Sequence, residues 1–156
     1  MKADIGLSEK NLQSLASDLN ILLADEHVLY VKTRNYHWNV EGSNFSEMHL
    51  FYEKQYTDLA EKIDEIAENI RYLGHFSEGR MKDYLKLTNL EEQEYTTVQK
   101  TQISNLLSDH ETIIKWLNKK IAIFQDDYKS ASTADFITGV LQMHQKMAWM
   151  LRAYTK

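Results

Sequence analysis

Apolar residues recur at intervals of three, four and seven along four long stretches of the chain, the spacing that places them on one face of a helix. The first stretch runs from Ser8 to Val40, with Leu12, Leu15, Leu19, Leu22, Leu29 and Tyr36 on its apolar stripe and Ser8 as its expected N-cap. Glu41-Gly42-Ser43-Asn44 ends it. A second helix is predicted from Phe45 to Leu73, carried by Met48, Tyr52, Tyr56, Leu59, Ile63, Ile66 and Ile70 and stopped at Gly74. A third is predicted over Thr96 to Asp127. A fourth is expected from Thr133 to Tyr154, with Ser132 as N-cap. Between the second and third lies a less regular stretch, Gly74 to Glu94, in which Arg80 to Leu87 is expected to form a short helix. No strand-like alternation, repeat or low-complexity tract competes. Two short connections and one long crossover predict an all-α, ferritin-like four-helix bundle, with a short helix in the crossover between helices 2 and 3 and residues 1–156 forming a single domain.

Composition supports long uninterrupted elements. The 156 residues contain no proline and only five glycines, where ordinary usage would supply about eight prolines. Cysteine is absent as well, which excludes disulfides, iron–sulfur clusters, thiolate zinc sites and cysteine nucleophiles. Any bound metal is therefore held by His, Asp or Glu, and the chain has six His and 23 Asp plus Glu. Such donors suit iron, manganese or zinc. The formal net charge is −5 with Lys and Arg dispersed, which is not the footprint of a nucleic-acid binder. The longest apolar run, Met147 to Leu151, is too short to cross a bilayer, and the N-terminus lacks the apolar core of a secretion signal. A soluble cytoplasmic protein without a membrane partner is the expectation.

The second helix carries the chemistry. On a wheel of 100° per residue, His49, Glu53, Asp64 and Glu68 share a flank between the apolar stripe and the charged face, beside the small residues Ala60 and Ala67. His49 with Glu53 and Asp64 with Glu68 are both i,i+4 pairs, a spacing that lets two side chains of one helix reach one ion. Eleven residues separate Glu53 from Asp64, roughly 16 Å along the axis, so one chain cannot close a shared centre. A two-fold axis laying this flank antiparallel on its copy would bring Asp64 and Glu68 of one subunit opposite His49 and Glu53 of the next, with His37 arriving from the end of the first helix. A di-iron centre inside one bundle would call for Glu-x-x-His on two helices, and no histidine of this chain has Glu three residues before it. No H-E-x-x-H, glycine-rich phosphate loop or G-x-S-x-G elbow is present either. His27, His75, His110 and His144 have no partner at ligand spacing and read as structural or surface residues. Trp116 and Trp149 read as core or interface aromatics.

Tyr36-His37-Trp38-Asn39-Val40, then Gly42, Phe45 and His49, then Asp64-Glu65-Ile66-Ala67-Glu68, and finally Ala148-Trp149-Met150-Leu151-Arg152-Ala153 resemble the Dps family, the mini-ferritins that protect the DNA of starved bacteria. The resemblance covers nearly the whole chain in order, and the steps from His37 through His49, Glu53 and Asp64 to Glu68 are 12, 4, 11 and 4 residues. It implies a hollow homododecamer of 23 symmetry with ferroxidase centres at the two-fold interfaces, each taking two iron ions. His37 of one subunit with Asp64 and Glu68 of its mate would form the stronger iron site, and His49 and Glu53 would complete the second. Glu53 stands where the family often has Asp, and Asn69 replaces the Arg that commonly follows the equivalent of Glu68. Trp38 and Tyr36 are candidates for redox accessories, with packing at the bundle end as the alternative. Asp126, Asp127 and Asp135 are candidates for lining the three-fold pore through which iron enters.

The resemblance implies an enzyme and store that oxidises Fe(II), preferably with hydrogen peroxide and otherwise with oxygen, and keeps the Fe(III) mineral. The alternatives are a DNA-compacting nucleoid protein with secondary iron chemistry and a helical interaction protein with none. Family members that condense DNA often use a lysine-rich tail, whereas here only Lys2 and Lys10 precede the expected first turns and Lys156 ends the chain. Twelve copies would multiply the −5 charge twelvefold against a polyanion. In a gel-shift assay at neutral pH and physiological salt, the protein alone is expected to leave duplex DNA unshifted.

Overall fold

In the computed structural model, which describes residues 3–155, the chain forms five α-helices and one π-helical turn: α1 Glu9–Asn39, α2 Phe45–Tyr72, α3 Met81–Leu87, α4 Gln99–Ala122, the π turn Ile123–Asp127 and α5 Ala131–Ala153. Among the described residues the only β-type pairing is an isolated parallel bridge between Glu41 and Val98. The helices α1 and α2 pack as one hairpin and α4 and α5 as another, and the crossover carrying α3 lies along α1. The stripes expected to be apolar form the core. Leu12, Leu15, Leu19, Leu22 and Leu29 of α1, Leu59, Ile66 and Ile70 of α2, Leu106, Ile113 and Leu117 of α4, and Ile137, Val140 and Leu151 of α5 are all buried.

Local chemistry sets the helix limits. Ser8 caps α1 as expected, its hydroxyl accepting from the Asn11 amide at 3.2 Å. At the other end, Gly42 adopts φ 141°, a conformation that L side chains rarely adopt, and the chain turns directly into α2. The third long helix begins three residues later than Thr96. The Thr96 hydroxyl instead accepts from the Val98 amide, its carbonyl accepts from the Gln102 side chain, and the Thr97 carbonyl accepts from the Glu41 amide. The α-helical part of that element also stops at Ala122, five residues before Asp127, where it widens into the π turn. Ser132 is not the cap of the last helix. Lys129 takes the left-handed φ of 60°, the Ser130 amide bonds back to the Phe124 carbonyl, and Ser130 becomes the N-cap residue, with its hydroxyl 2.7 Å from that of Thr133.

The crossover is tied down by polar side chains of α1. Asn20 takes the Glu78 amide at 2.8 Å. Asp25 takes the Thr88 hydroxyl at 2.7 Å and the Asn89 amide at 2.6 Å. Lys32 donates to the Glu91 carbonyl at 2.6 Å and to the Asp109 carboxylate at 2.5 Å, joining crossover, α1 and α4 at one buried point. Burial pushes the Asp109 carboxyl above its ordinary value, while Lys32 pulls it back. Removing one member of such a pair strands the other charge in the core. Asp109→Leu is therefore expected to cost about 3–5 kcal/mol, read from denaturant midpoints at fixed protein concentration. Lys32→Met/Asp109→Leu should cost markedly less.

Candidate metal centre

The 40–44 turn returns α2 antiparallel to α1, so His37 in the last turn of α1 meets His49 in the second turn of α2. Their rings stack with centroids 3.7 Å apart. His37 Nδ1 lies 2.8 Å from the His49 carbonyl, and His49 Nδ1 lies 2.9 Å from the His37 carbonyl. A carbonyl oxygen only accepts, so each Nδ1 carries a proton, and the neutral form of either ring has its lone pair at Nε2. This is the pattern that fixes the tautomer of a metal-ligating histidine. Phe45 packs on the His49 ring at 5.2 Å, and the Tyr56 ring meets His37 edge-on at 5.2 Å. The Arg34 guanidinium lies 4.8 Å from the Trp38 ring centroid.

Glu53, one turn beyond His49, is exposed, as are Asp64 and Glu68 toward the far end of α2. Glu68 Oε2 accepts from the Tyr72 hydroxyl at 3.0 Å. That bond is the largest cause raising the Tyr72 phenol above its ordinary value, with the charges of Glu68 and Asp64 adding to it. Tyr72 was missed from the sequence, although its i,i+4 spacing from Glu68 was there to be read. The histidine end and the carboxylate end remain separated along the helix. Among the described residues, no group of three or more His, Asp or Glu lies close enough to hold an ion within one chain. Exposed apolar side chains border both halves: Trp38, Phe45 and Leu50 near the histidines and Tyr72 beside Glu68.

Other candidates separate clearly. Tyr36 is buried, and its hydroxyl accepts from Asn105 at 2.8 Å, a packing position at the bundle end. Trp38 is 59% exposed; Trp149, at 64%, lies on the surface of the chain, which removes its core reading and leaves the interface one, and Trp116 is half-buried. Asp126, Asp127 and Asp135 are all exposed, the first two in the π turn and the third in the first turns of α5. His27 bonds through Nδ1 to the Leu23 carbonyl and stacks on Tyr84. His75 lies 3.7 Å from Glu9. His110 and His144 lack partners at ligand spacing along the sequence but have them in space: they meet each other and Glu26 inside the bundle.

A family model described as the ferritin-like domain matches residues 16–156. An uncharacterised low temperature-induced protein of Nostoc is 38% identical over 98% of this chain and 86% of its own length. The DNA protection during starvation protein of Porphyromonas gingivalis is 37% identical over 96% of this chain and 93% of its own. Among solved structures, the Dps protein of Vibrio cholerae O1, described as a member of a broad superfamily of ferritin-like diiron-carboxylate proteins, superposes with a TM-score of 0.93 at 31% identity, covering 99% of this chain and 97% of that one. Fold and sequence together define a ferritin-like protein. Within that class, the chain belongs to the Dps family.

If the two halves of the centre meet across subunits, defects in opposite halves complement each other. Mixed assemblies of His37→Ala/His49→Ala and Asp64→Ala/Glu68→Ala chains are then expected to regain about a quarter of the wild-type centres, because half the two-fold pairs would be mixed and each would rebuild one intact centre of two. Anaerobic Fe(II) titration would count them. Each mutant alone should show almost none.

Proposed function

We propose that the protein is a ferroxidase and iron-storage mini-ferritin that works as a dodecameric shell in the bacterial cytoplasm and protects against oxidative stress. The observation that carries the reading is the reciprocal bonding of His37 and His49. It leaves two imidazole lone pairs available at one end of a helix flank whose other end bears Asp64 and Glu68. In the proposed assembly, His37, His49 and Glu53 of one subunit face Asp64 and Glu68 of its two-fold mate, and each interface holds two such centres of two irons. The apolar surface around Trp38, Phe45 and Leu50 supports burial against a second copy.

Carboxylates with one or two imidazoles bind Fe(II) and hold Fe(III) more tightly, because the harder ion prefers oxygen donors. Hydrogen peroxide takes one electron from each of two Fe(II) ions. The O–O bond breaks, and with two protons two waters form, so no hydroxyl radical is released. Oxidised iron then passes to mineral in the cavity. Tyr72 keeps one oxygen of Glu68 occupied and thereby limits how that carboxylate turns toward iron. The longer Glu53, where relatives often have Asp, sets the reach to the second iron. In this reading Trp38, exposed beside His37, intercepts stray oxidant, and Asp126, Asp127 and Asp135 form carboxylate rings that draw Fe(II) inward.

DNA protection, the role in the names of several relatives, follows here from removing Fe(II) and peroxide together. The test loads the protein anaerobically with Fe(II), adds hydrogen peroxide and follows ultraviolet absorbance for wild type and Asp64→Ala/Glu68→Ala. Wild type should oxidise its iron within the mixing phase and the variant at least tenfold more slowly. Equal rates would remove the proposed centre. The native mass should fall near twelve times 18.3 kDa, and a monomer at micromolar concentration would defeat the intersubunit arrangement.

A further inference from the structure

The bundle interior holds a hydrogen-bonded chain that iron oxidation does not use. Glu26 Oε1 of α1 lies 2.6 Å from His144 Nε2 of α5, and His144 Nδ1 lies 2.8 Å from His110 Nδ1 of α4. All three residues have 0% exposure. At the ends of the chain, Glu26 Oε2 and His110 Nε2 have no hydrogen-bond partner among the described residues. The cluster therefore reaches from one helical hairpin into the other.

Its protons can be counted from its contacts. The O···N contact requires one proton and the N···N contact requires one more. With only those two, both rings are neutral and Glu26 leaves a net negative charge in the core. No cation is free to balance it: Lys32, the one buried ammonium among the described residues, is held by Asp109. The other ionisable groups close by on α1 are Asp25, whose carboxyl is pushed up by burial and, to a smaller extent, by Glu26 against its hydrogen bonds to Asn89 and Thr88, and His27. The buried polar side chains of α2, Tyr52 and Gln55, are neutral, and α5 buries only Thr133 besides His144. A third proton cancels the charge. Held within the chain of contacts, it leaves His110 protonated at Nε2 and the Glu26–His144 contact neutral as a pair. One unpartnered N–H costs less than one uncompensated buried carboxylate. Burial and the neighbouring His144 hold His110 well below the ordinary imidazole range, in keeping with its neutral form.

We propose that Glu26, His144 and His110 form a buried proton-binding site that carries one proton more in the folded chain than in the unfolded chain above neutral pH, and so fastens the two hairpins in a pH-dependent way. Near pH 8 the unfolded chain holds two protons on these groups, one per neutral imidazole, against three in the fold. Folding then takes up a proton, and the unfolding constant of this unit rises up to tenfold per pH unit. Below about pH 6.5 the unfolded imidazoles charge and bind four protons in all, and the slope reverses. This contribution is therefore greatest near pH 6.5.

The site stands apart from iron chemistry and is tested without it. In Glu26→Gln, the amide oxygen accepts from His144 Nε2 without charge, folded and unfolded states both hold two protons, and the slope of this unit vanishes. Asp109 and the tyrosines are common to both proteins; the Glu26 charge also raises Asp25 and His27, so the comparison is read from pH 7 to 9, above the ordinary range of both groups. Denaturant unfolding of the full-length assembly from pH 7 to 9 should show a wild-type slope steeper than that of Glu26→Gln by up to tenfold per pH unit. Equal slopes would overturn the proposal. Should Glu26→Gln fail to fold, neutron diffraction from wild-type crystals at pH 8 decides: deuterium in both contacts and a third on His110 Nε2 or Glu26 Oε2 is expected, and deuterium in the two contacts alone rejects the site.

Discussion

Each of two imidazoles, His37 and His49, gives its Nδ1 proton to the backbone carbonyl of the other, and the exchange exists only because α1 and α2 run antiparallel with their ends in register. The register follows from burial. The leucine stripe of α1 and the Met48–Ile70 stripe of α2 must close on one core, and Gly42 supplies the backbone geometry that lets the chain reverse within five residues. Sliding α2 by one turn would keep much apolar contact but would move His49 about 5.4 Å along the axis. Core packing and candidate chemistry are thus set by one alignment.

Much of this was legible from local pattern. The limits of α1 and α2, the short helix in the crossover and the alignment of His49, Glu53, Asp64 and Glu68 on one flank all depend on residues a few positions apart on one helix, where periodicity carries the information. The start of α5 was misread because Ser130 and Ser132 are equivalent as capping residues. What separates them is the π turn and the left-handed Lys129, and neither leaves a clear mark in a run of ordinary residues. The partnership of Glu26 with His144 spans 118 positions. Spacing rules that search one helix for ligands read His110 and His144 as isolated, and only the tertiary fold brings them together.

The same helix, α2, serves two surfaces. Its inner stripe closes the bundle, whereas its flank carries acceptors and apolar side chains that one chain leaves exposed. A fold that placed its metal ligands inside the bundle would work as a monomer. In the proposed assembly the candidate ligands lie outside it and the interior is given to Leu, Ile and the Glu26–His144–His110 chain, so folding and assembly would supply different parts of the chemistry. That division would leave α2 under two independent constraints, with the small residues Ala60 and Ala67 allowing a second helix to approach the proposed flank closely.

The crossover between α2 and α4 has the length of a flexible loop, yet Asn20, Asp25 and Lys32 grip it at successive levels along α1, and Glu41, in the turn just beyond α1, bridges to Val98 at its end. Peeling it away breaks several part-buried bonds at once: Asp25 loses Thr88 and Asn89 together, and Lys32 is left with Asp109 alone. Its amides should therefore exchange with solvent as a cooperative unit and not residue by residue, with an opening free energy closer to that of the bundle than to that of an ordinary surface loop. Proteolysis after the exposed Lys82 or Lys86 would accordingly report detachment of this strap from α1 as a single event.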